Sequence, residues 1–345
     1  MKKVTLQDIA DSIGVSRISV WKVFSGRDGV SDELRNRIIA KATELNYNFP
    51  KDFELPEQQK AKRHYNISVT VSHPETSLFW MTVIHEIAKE LSKRNVNLIY
   101  TYLPSKITED YTLPSQLSDG SVDGIIVLNV YDERLVRLLS NLSLPKVYMD
   151  TSGKVEFDEL NGDLVLCSSK SGIAKITEQM IVQGRTEIGF VGDIHYSKTN
   201  QERYEGYLEA MRKYNLPIRK ELSYTGTIRM NNYEKDIVSF LDSLHKMPQG
   251  FVCTNDQIAC FLWNELAIRG YQVPKDIYLS GFGGYQDCTL TKGLTTVQVF
   301  SQDLGLRLAT QALYKIKNPS LRHEIIYVSS ETYFRNSTKQ IENLE

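Results

Sequence analysis

The sequence predicts two architectures in one chain: an N-terminal all-α head of three helices containing a helix-turn-helix, and an α/β body of two doubly wound parallel-sheet subdomains. Three observations lead there. Between Val4 and Tyr47 the apolar residues fall into three short helical periods, separated by Gly14 and by the segment from Gly26 to Gly29. From Asn66 onward, short β-rich runs alternate with helical ones, the pattern of a parallel sheet covered on both faces. At 345 residues the chain is also too long for one typical core and suits two or three domains.

In the head, Thr5 followed by Asp8 makes a capping-box-like start in front of Leu6, Ile9, Ala10 and Ile13, which share one helical face. Gly14 can take the positive φ of a tight interhelical turn and Val15 plugs that turn. Ser16 then caps a second helix whose Val20, Val23 and Phe24 face inward. Ser31, Asp32 and Glu33 put a cap and two carboxylates at the positive end of a third helix, which carries Leu34, Ile38, Ala42 and Leu45 on one face. The second helix exposes Ser16, Arg17, Ile18 and Ser19, and Lys22 a turn later. In a docked helix-turn-helix this stretch enters the major groove, where Arg or Lys donates to guanine and an apolar side chain meets a thymine methyl. The alternative for Arg17 and Lys22 is solvated charge on an ordinary helical hairpin.

From Asn48 to His64 the composition changes to NFPKDFELPEQQKAKRH, with prolines at 50 and 56 and no sustained apolar period, which marks a linker. Beyond it, strands are expected at 66–73, 95–103, 123–129, 145–150, 187–192, 250–255 and 277–282, and helices at 81–94, 170–183, 200–214 and 256–269. Open α/β sheets bind ligands beyond the carboxyl ends of their strands, so a cleft between two such halves is the expected ligand site.

Bulk properties agree with this division. The formal net charge is −1, but residues 1–64 carry 12 Lys and Arg against 9 Asp and Glu, while the remainder carries 29 against 33. A mildly basic head and a mildly acidic body suit a head that approaches phosphates. With no membrane-spanning apolar run and no secretory h-region, a cytoplasmic protein is expected. Cys167, Cys253, Cys260 and Cys288 lack metal-type spacing and read as buried free thiols. The absence of a Gly-rich phosphate loop, a nucleophile elbow and a metal-spaced His pair argues against an enzyme, a metal site and a cofactor.

The stretches VTLQDIADSIGVSRISVWKVFSG and VSDELRNRIIAKATELNY, in register from Val4, resemble the N-terminal domain of the lactose-repressor/galactose-repressor (LacI/GalR) family of transcription regulators. In the body, Arg203, Gly206 and Tyr207, TNDQIA at 254–259, GFGG at 281–284 and LTTV at 294–297 occur in that family's order and spacing. The resemblance thus covers nearly the whole chain. It implies a homodimer reading a pseudopalindromic double-stranded operator, with a periplasmic-binding-protein-like (type I) body closing over a small effector, usually a sugar or sugar phosphate. It also implies crossovers near residue 160 and beyond 290. The expected division is a head at 1–48, a hinge or linker at 49–64 and an effector and dimerisation body at 65–345. Within the body, the N-subdomain takes about 65–160 and 291–320, and the C-subdomain about 161–290 and 321–340.

The expected DNA-contacting residues are Thr5, Leu6, Ser16, Arg17, Ile18, Ser19, Lys22, Ser31 and Leu55. By resemblance Arg17 and Ile18 choose operator bases. Lys22 stands where an Arg is usual and Trp21 where a small polar residue is, which suggests an altered half-site preference. The family's linker forms a hinge helix whose Leu wedges into the minor groove. Leu55 is the only candidate here, with Pro56 and the charges of Asp52 and Glu54 set against it.

For the effector, Arg203 matches the family's effector arginine and reads as opening a helix, where its guanidinium can fork onto hydroxyls or a phosphate; pairing with Glu202 or Glu205 is the alternative. Asn255 can donate and accept at a sugar hydroxyl, or cap the next helix. Phe79 and Trp80, expected in the loop after the first strand, offer a stacking wall or core packing. Ser168 falls where many relatives place an Asp, and Asp150 is a ligand residue or a strand-end turn. Relatives carry carboxylates at the positions of Gly283 and Gly284; Asp287 could substitute, and their loss lifts an electrostatic objection to a phosphosugar. It equally admits a ligand-blind body, or one controlled by a protein partner.

Overall fold

The computed structural model describes residues 4–45, 47–50, 53, 64–72, 78–228, 233–284 and 292–339. Its head consists of α1 (Leu6–Ile13), α2 (Arg17–Phe24) and α3 (Asp32–Glu44). The Thr5–Asp8 capping box is formed, Gly14 closes α1 at φ 70°, and the Ser16 and Ser31 hydroxyls accept from the Ser19 and Leu34 amides. These caps satisfy N-terminal amides that no helical carbonyl reaches. Ile9, Ala10, Val20, Val23, Phe24, Ile38, Ile39 and Ala42 are buried at the centre. Phe49 and Phe53, on the linker side of the expected boundary, also belong to this core: with Phe24 and Tyr47 they form a cluster of rings with centroids 5.2–5.7 Å apart. Leu55 lies outside the described residues.

The first lobe contains a wholly parallel six-stranded sheet. Its members are β1 (Asn66–Val71), β2 (Asn97–Tyr102), β3 (Gly124–Leu128), β4 (Lys146–Met149), β5 (Asp163–Cys167) and β10 (Ile325–Val328), in the order β10-β5-β4-β3-β1-β2. Around it lie α4 (Leu78–Ser92), α5 (Glu133–Ser140) and α10 (Ser301–Lys317). The second lobe has the order β11-β9-β8-β7-β6, from β6 (Ile188–Val191), β7 (Gly250–Cys253), β8 (Tyr278–Gly283), β9 (Thr295–Gln298) and the antiparallel edge strand β11 (Glu331–Tyr333). Its helices are α6 (Lys170–Val182), α7 (Lys198–Lys213), α8 (Tyr233–Ser243) and α9 (Asp256–Ile268).

Sheet membership moves the division expected from sequence. Residues 163–167 and 325–328 lie in the first sheet and 295–298 in the second, so the chain crosses between lobes three times, at 168–169, 299–300 and 329–330. Two crossovers hold each other: the Ser168 amide donates to the Val328 carbonyl at 2.8 Å, and the Ser330 hydroxyl to the Ser168 carbonyl at 2.5 Å. Gly206 is structural, since a Cβ there would meet the Lys170 carbonyl at 2.2 Å where α7 crosses α6. Tyr207 is buried, its hydroxyl donating to the Ile188 carbonyl at 2.8 Å. Cys167, Cys253 and Cys260 are buried and form no disulfide, and Cys288 is outside the described residues. Among the described residues no helix is long and apolar enough to cross a membrane.

Lys146 is buried in the first lobe, its ammonium donating to the carbonyls of Leu142 (2.7 Å) and Asn161 (3.0 Å). Burial pulls its pKa down to about 8 from 10.5. Between those two values the unfolded chain holds a proton that the folded chain has released, so stability rises with pH through this window. Thermal melting from pH 7.5 to 10 should show wild type gaining on Lys146→Met as pH rises. Parallel curves for the two proteins would refute the assignment.

Candidate functional site

Two regions assemble the residues singled out by sequence. The first is the outer face of α2, where Arg17 and Ile18 are exposed and Ser19 and Lys22 half-exposed. Ser16 and Ser19 are tied hydroxyl to hydroxyl at 2.9 Å, so the first turn of α2 is held by its own cap. Thr5 and Ser31 are exposed caps of α1 and α3, while Leu6 packs partly against the head core. Arg17 and Ile18 therefore project from a rigid helix, and the capping residues supply polar helix N-termini around them.

The second region lies between the lobes, at the carboxyl ends of both sheets. Arg203, in the second turn of α7 and not at its start, donates through Nη1 to Asn200 Oδ1 at 2.9 Å and to the Thr254 carbonyl at 2.8 Å. Its guanidinium lies over the ring of Phe282, 3.8 Å from the centroid. Its Nε is buried with no protein acceptor. Neither Glu202 nor Glu205 holds it; Glu202 instead accepts from the Tyr327 hydroxyl at 2.6 Å, joining α7 to β10.

Asp150 follows β4 with φ 60° and is buried. Its Oδ1 accepts from the amides of Thr151 at 2.9 Å and Thr199 at 3.2 Å, and its Oδ2 accepts from the Thr199 hydroxyl. A carboxylate of the first lobe thus sits at the positive end of α7 in the second, beside that helix's own cap, Ser197. Burial pushes the Asp150 carboxyl up, and the bonds from Thr199 and Thr151 and the charge of Arg203 hold it back. The Lys198 amide adds a bond to the Thr151 carbonyl at 2.9 Å. Tyr131, after β3, and Tyr196, before α7, meet across the lobes with ring centroids 4.5 Å apart. Burial raises the Tyr131 phenol well above its usual value, with Asp150 adding to the rise.

The remaining expectations separate. Asn255 caps α9, Oδ1 accepting from the Ile258 amide at 2.8 Å, which leaves its Nδ2 as a donor beside Thr254. Phe79 and Trp80 lie in the first turn of α4 and not in a loop; their rings meet edge to face at 5.1 Å and pack against the body core. Ser168 is engaged through its backbone in the crossovers, and the neighbouring Cys167 is the residue beside Arg203. Burial raises the Cys167 thiol, and the Arg203 charge lowers it in part. Gly283 and Gly284 have φ of 124° and 75°, and a Cβ on Gly284 would fall 2.2–2.3 Å from the amide of Gln298. The space of a side chain at 284 is thus filled by Gln298. Asp287 lies outside the described residues. The sequence does not single out Thr199, Tyr131, Tyr196 and Gln298, and marks Cys167 and Phe282 only as a buried thiol and as part of GFGG; apart from Thr199, in the first turn of α7, all lie at or within five residues of the carboxyl end of a strand.

Residues 5–48 match the family model described as bacterial regulatory proteins, lacI family, and residues 177–338 match that of a periplasmic binding protein-like domain. The chain is 24% identical over 342 residues to the probable HTH-type transcriptional repressor ExuR of Bacillus subtilis (strain 168), covering 98% of this chain and 99% of that protein. It is 25% identical over 342 residues, with the same coverage, to the HTH-type transcriptional repressor PurR of Actinobacillus pleuropneumoniae serotype 3 (strain JL03). Among solved structures it is similar to the complex of the transcriptional regulator CelR with cellobiose, at TM-score 0.69 and 21% identity over 97% of this chain and 100% of that one. It is likewise similar to the lac repressor dimer bound to operator and the anti-inducer ONPF, at TM-score 0.68 and 18% identity over 98% and 99%.

Proposed function

We propose that the chain, which matches the lacI-family model at residues 5–48 and the periplasmic binding protein-like model at residues 177–338 and is 24–25% identical to HTH-type transcriptional repressors over nearly its whole length, is a DNA-binding transcriptional repressor of the LacI family whose operator affinity is set by a small polyhydroxylated effector, a sugar or sugar phosphate, held between the two lobes. The observation that carries this reading is Arg203: a guanidinium seated on Phe282 with Nε buried and unsatisfied, at the carboxyl ends of both sheets. A hydroxyl or phosphate oxygen is the acceptor that such a donor lacks. Asn255, beside the Thr254 carbonyl that takes Arg203, offers its Nδ2 as a further polar group. The CelR complex, whose fold this chain shares, holds cellobiose, which supports a carbohydrate.

The protein acts as a homodimer whose two α2 helices read the half-sites of a pseudopalindrome, about 34 Å apart when the half-sites are one turn apart. The effector changes how the lobes meet, and through them the spacing of the heads. Effector and operator are then coupled reciprocally, typically by about 1–3 kcal/mol. A second reading, a ligand-blind body, is favoured by the Asp150–Thr199 bonds and the Tyr131–Tyr196 contact, which join the lobes with the chain's own groups. Thermal melting against a library of sugars and sugar phosphates separates the two. A ligand that raises the melting temperature and shifts operator affinity supports effector control, and silence across the library favours the ligand-blind body.

Arg17→Ala should weaken binding to the preferred operator by about 1–3 kcal/mol and relax preference at one base pair. Equal losses on a scrambled duplex would make Arg17 a phosphate contact.

A further inference from the structure

The outer face of α2 carries more than its first turn. Trp21 is 43% exposed and Ile18 65% exposed, three residues apart on one face, with Arg17 one turn before Trp21. The Arg27 guanidinium, from the segment after α2, lies 5.1 Å from the centroid of the Trp21 ring. Arg27 is brought there by the backbone: its amide donates to the Lys22 carbonyl at 2.9 Å, Gly26 turns the chain at φ 64°, and the Arg27 carbonyl accepts from Arg35 Nη2 at 3.3 Å. Lys22 Nζ comes close to Gly29 in the same segment. An exposed apolar pair rimmed by Arg17, Lys22 and Arg27 is the signature of an interaction surface for an anionic partner with apolar edges.

We infer that Trp21 and Arg27 form a second DNA-contacting pair beside Arg17 and Ile18, in which the indole seats the Arg27 guanidinium against a backbone phosphate flanking the bases read by α2. The pair rests on the DNA-binding reading and extends it. A guanidinium stacked on an indole keeps its N–H edge outward, so it can bond a phosphate oxygen in the plane while the ring limits its freedom. Trp21 is then a positioning residue and Arg27 the phosphate contact. Such a contact carries no base information but releases a counterion, and its mark is a salt dependence shared by all sequences.

The test uses full-length protein and duplexes enriched from a random library by the wild type, with a scrambled duplex as control, from 50 to 200 mM KCl. Arg27→Gln should reduce the slope of log affinity against log salt by about 0.9 on both duplexes, so that the wild-type advantage shrinks about 3.5-fold across that range. Trp21→Ala should lose the same slope, Trp21→Phe should keep most of it, and the Trp21→Ala/Arg27→Gln double variant should lose no more than either alone. An unchanged slope in Arg27→Gln overturns the phosphate contact. A reduced slope in Arg27→Gln but not in Trp21→Ala overturns the pairing. Enrichment of no duplex by the wild type would instead sink the DNA-binding reading itself.

Discussion

Phe24→Ala is expected to abolish operator binding while leaving the melting of the body in place. Phe24 is 7% exposed and meets three other rings: Tyr47 stacked at 5.2 Å, and Phe49 and Phe53 edge-on at 5.3 and 5.2 Å. Removing a buried Phe costs about 3–5 kcal/mol, from lost transfer energy and from the cavity left behind. A head of this size rarely commands more than about 3–5 kcal/mol in total. The loss therefore matches the whole stability of the head, and α2 ceases to be presented as a rigid helix. Two melting transitions in wild type should become one in the variant, with loss of helical signal at low temperature. Phe24→Leu, which leaves less empty volume, should retain partial binding. Wild-type operator affinity in Phe24→Ala would show that the ring cluster is not what holds the head together.

Arg203→Ala is expected to leave operator binding intact and to remove the response to effector. For a ligand present at a hundred times its Kd, the stabilisation at stake is about 2.7 kcal/mol. The variant loses the bonds to Asn200 and Thr254 and the seat on Phe282. It also takes away a positive charge that holds the Asp150 carboxyl down. Arg203→Lys separates charge from geometry: an ammonium keeps the charge but cannot fork or stack in the same way, so its response should also be severely reduced. If either variant showed the wild-type melting shift with the same ligand, Arg203 would be a lobe-packing residue and the cleft assignment would fall.

The head was legible almost entirely in the sequence, because what forms it is local. Thr5 with Asp8, Gly14, Ser16 and Ser31 each act on a backbone group within five residues. The apolar periods that name the buried face of each helix span three turns or so. What extended beyond local reach was the role of Phe49 and Phe53, which look like linker until their stacked rings are seen against the edge of Phe24. In the body, the alternation of strand and helix was equally legible, whereas the partners of β5, β9 and β10 were not. Ile325 pairs with Leu164, and nothing in either short strand specifies the other. Such pairings are chosen by burial of a whole sheet, and a strand of four residues carries too little pattern to announce its lobe.

The cleft divides in the same way. That Asp150 and Asn255 follow strands, and that Arg203 lies on the helix after β6, could be read from the order of elements. That the Asp150 carboxylate reaches the first turn of α7 and that Tyr131 meets Tyr196 follows only from how three crossovers bring the two lobes together, and that Phe282 lies under Arg203 follows from how α7 packs on the second sheet. By itself the sequence determined the helices, their caps and the strand-helix rhythm, since these are settled by dihedral preference and hydrogen bonds over a few residues. The tertiary structure alone decided which strands share a sheet and which side chains share the cleft, because those contacts join residues about 50 to 160 positions apart and are selected by the packing of the whole body.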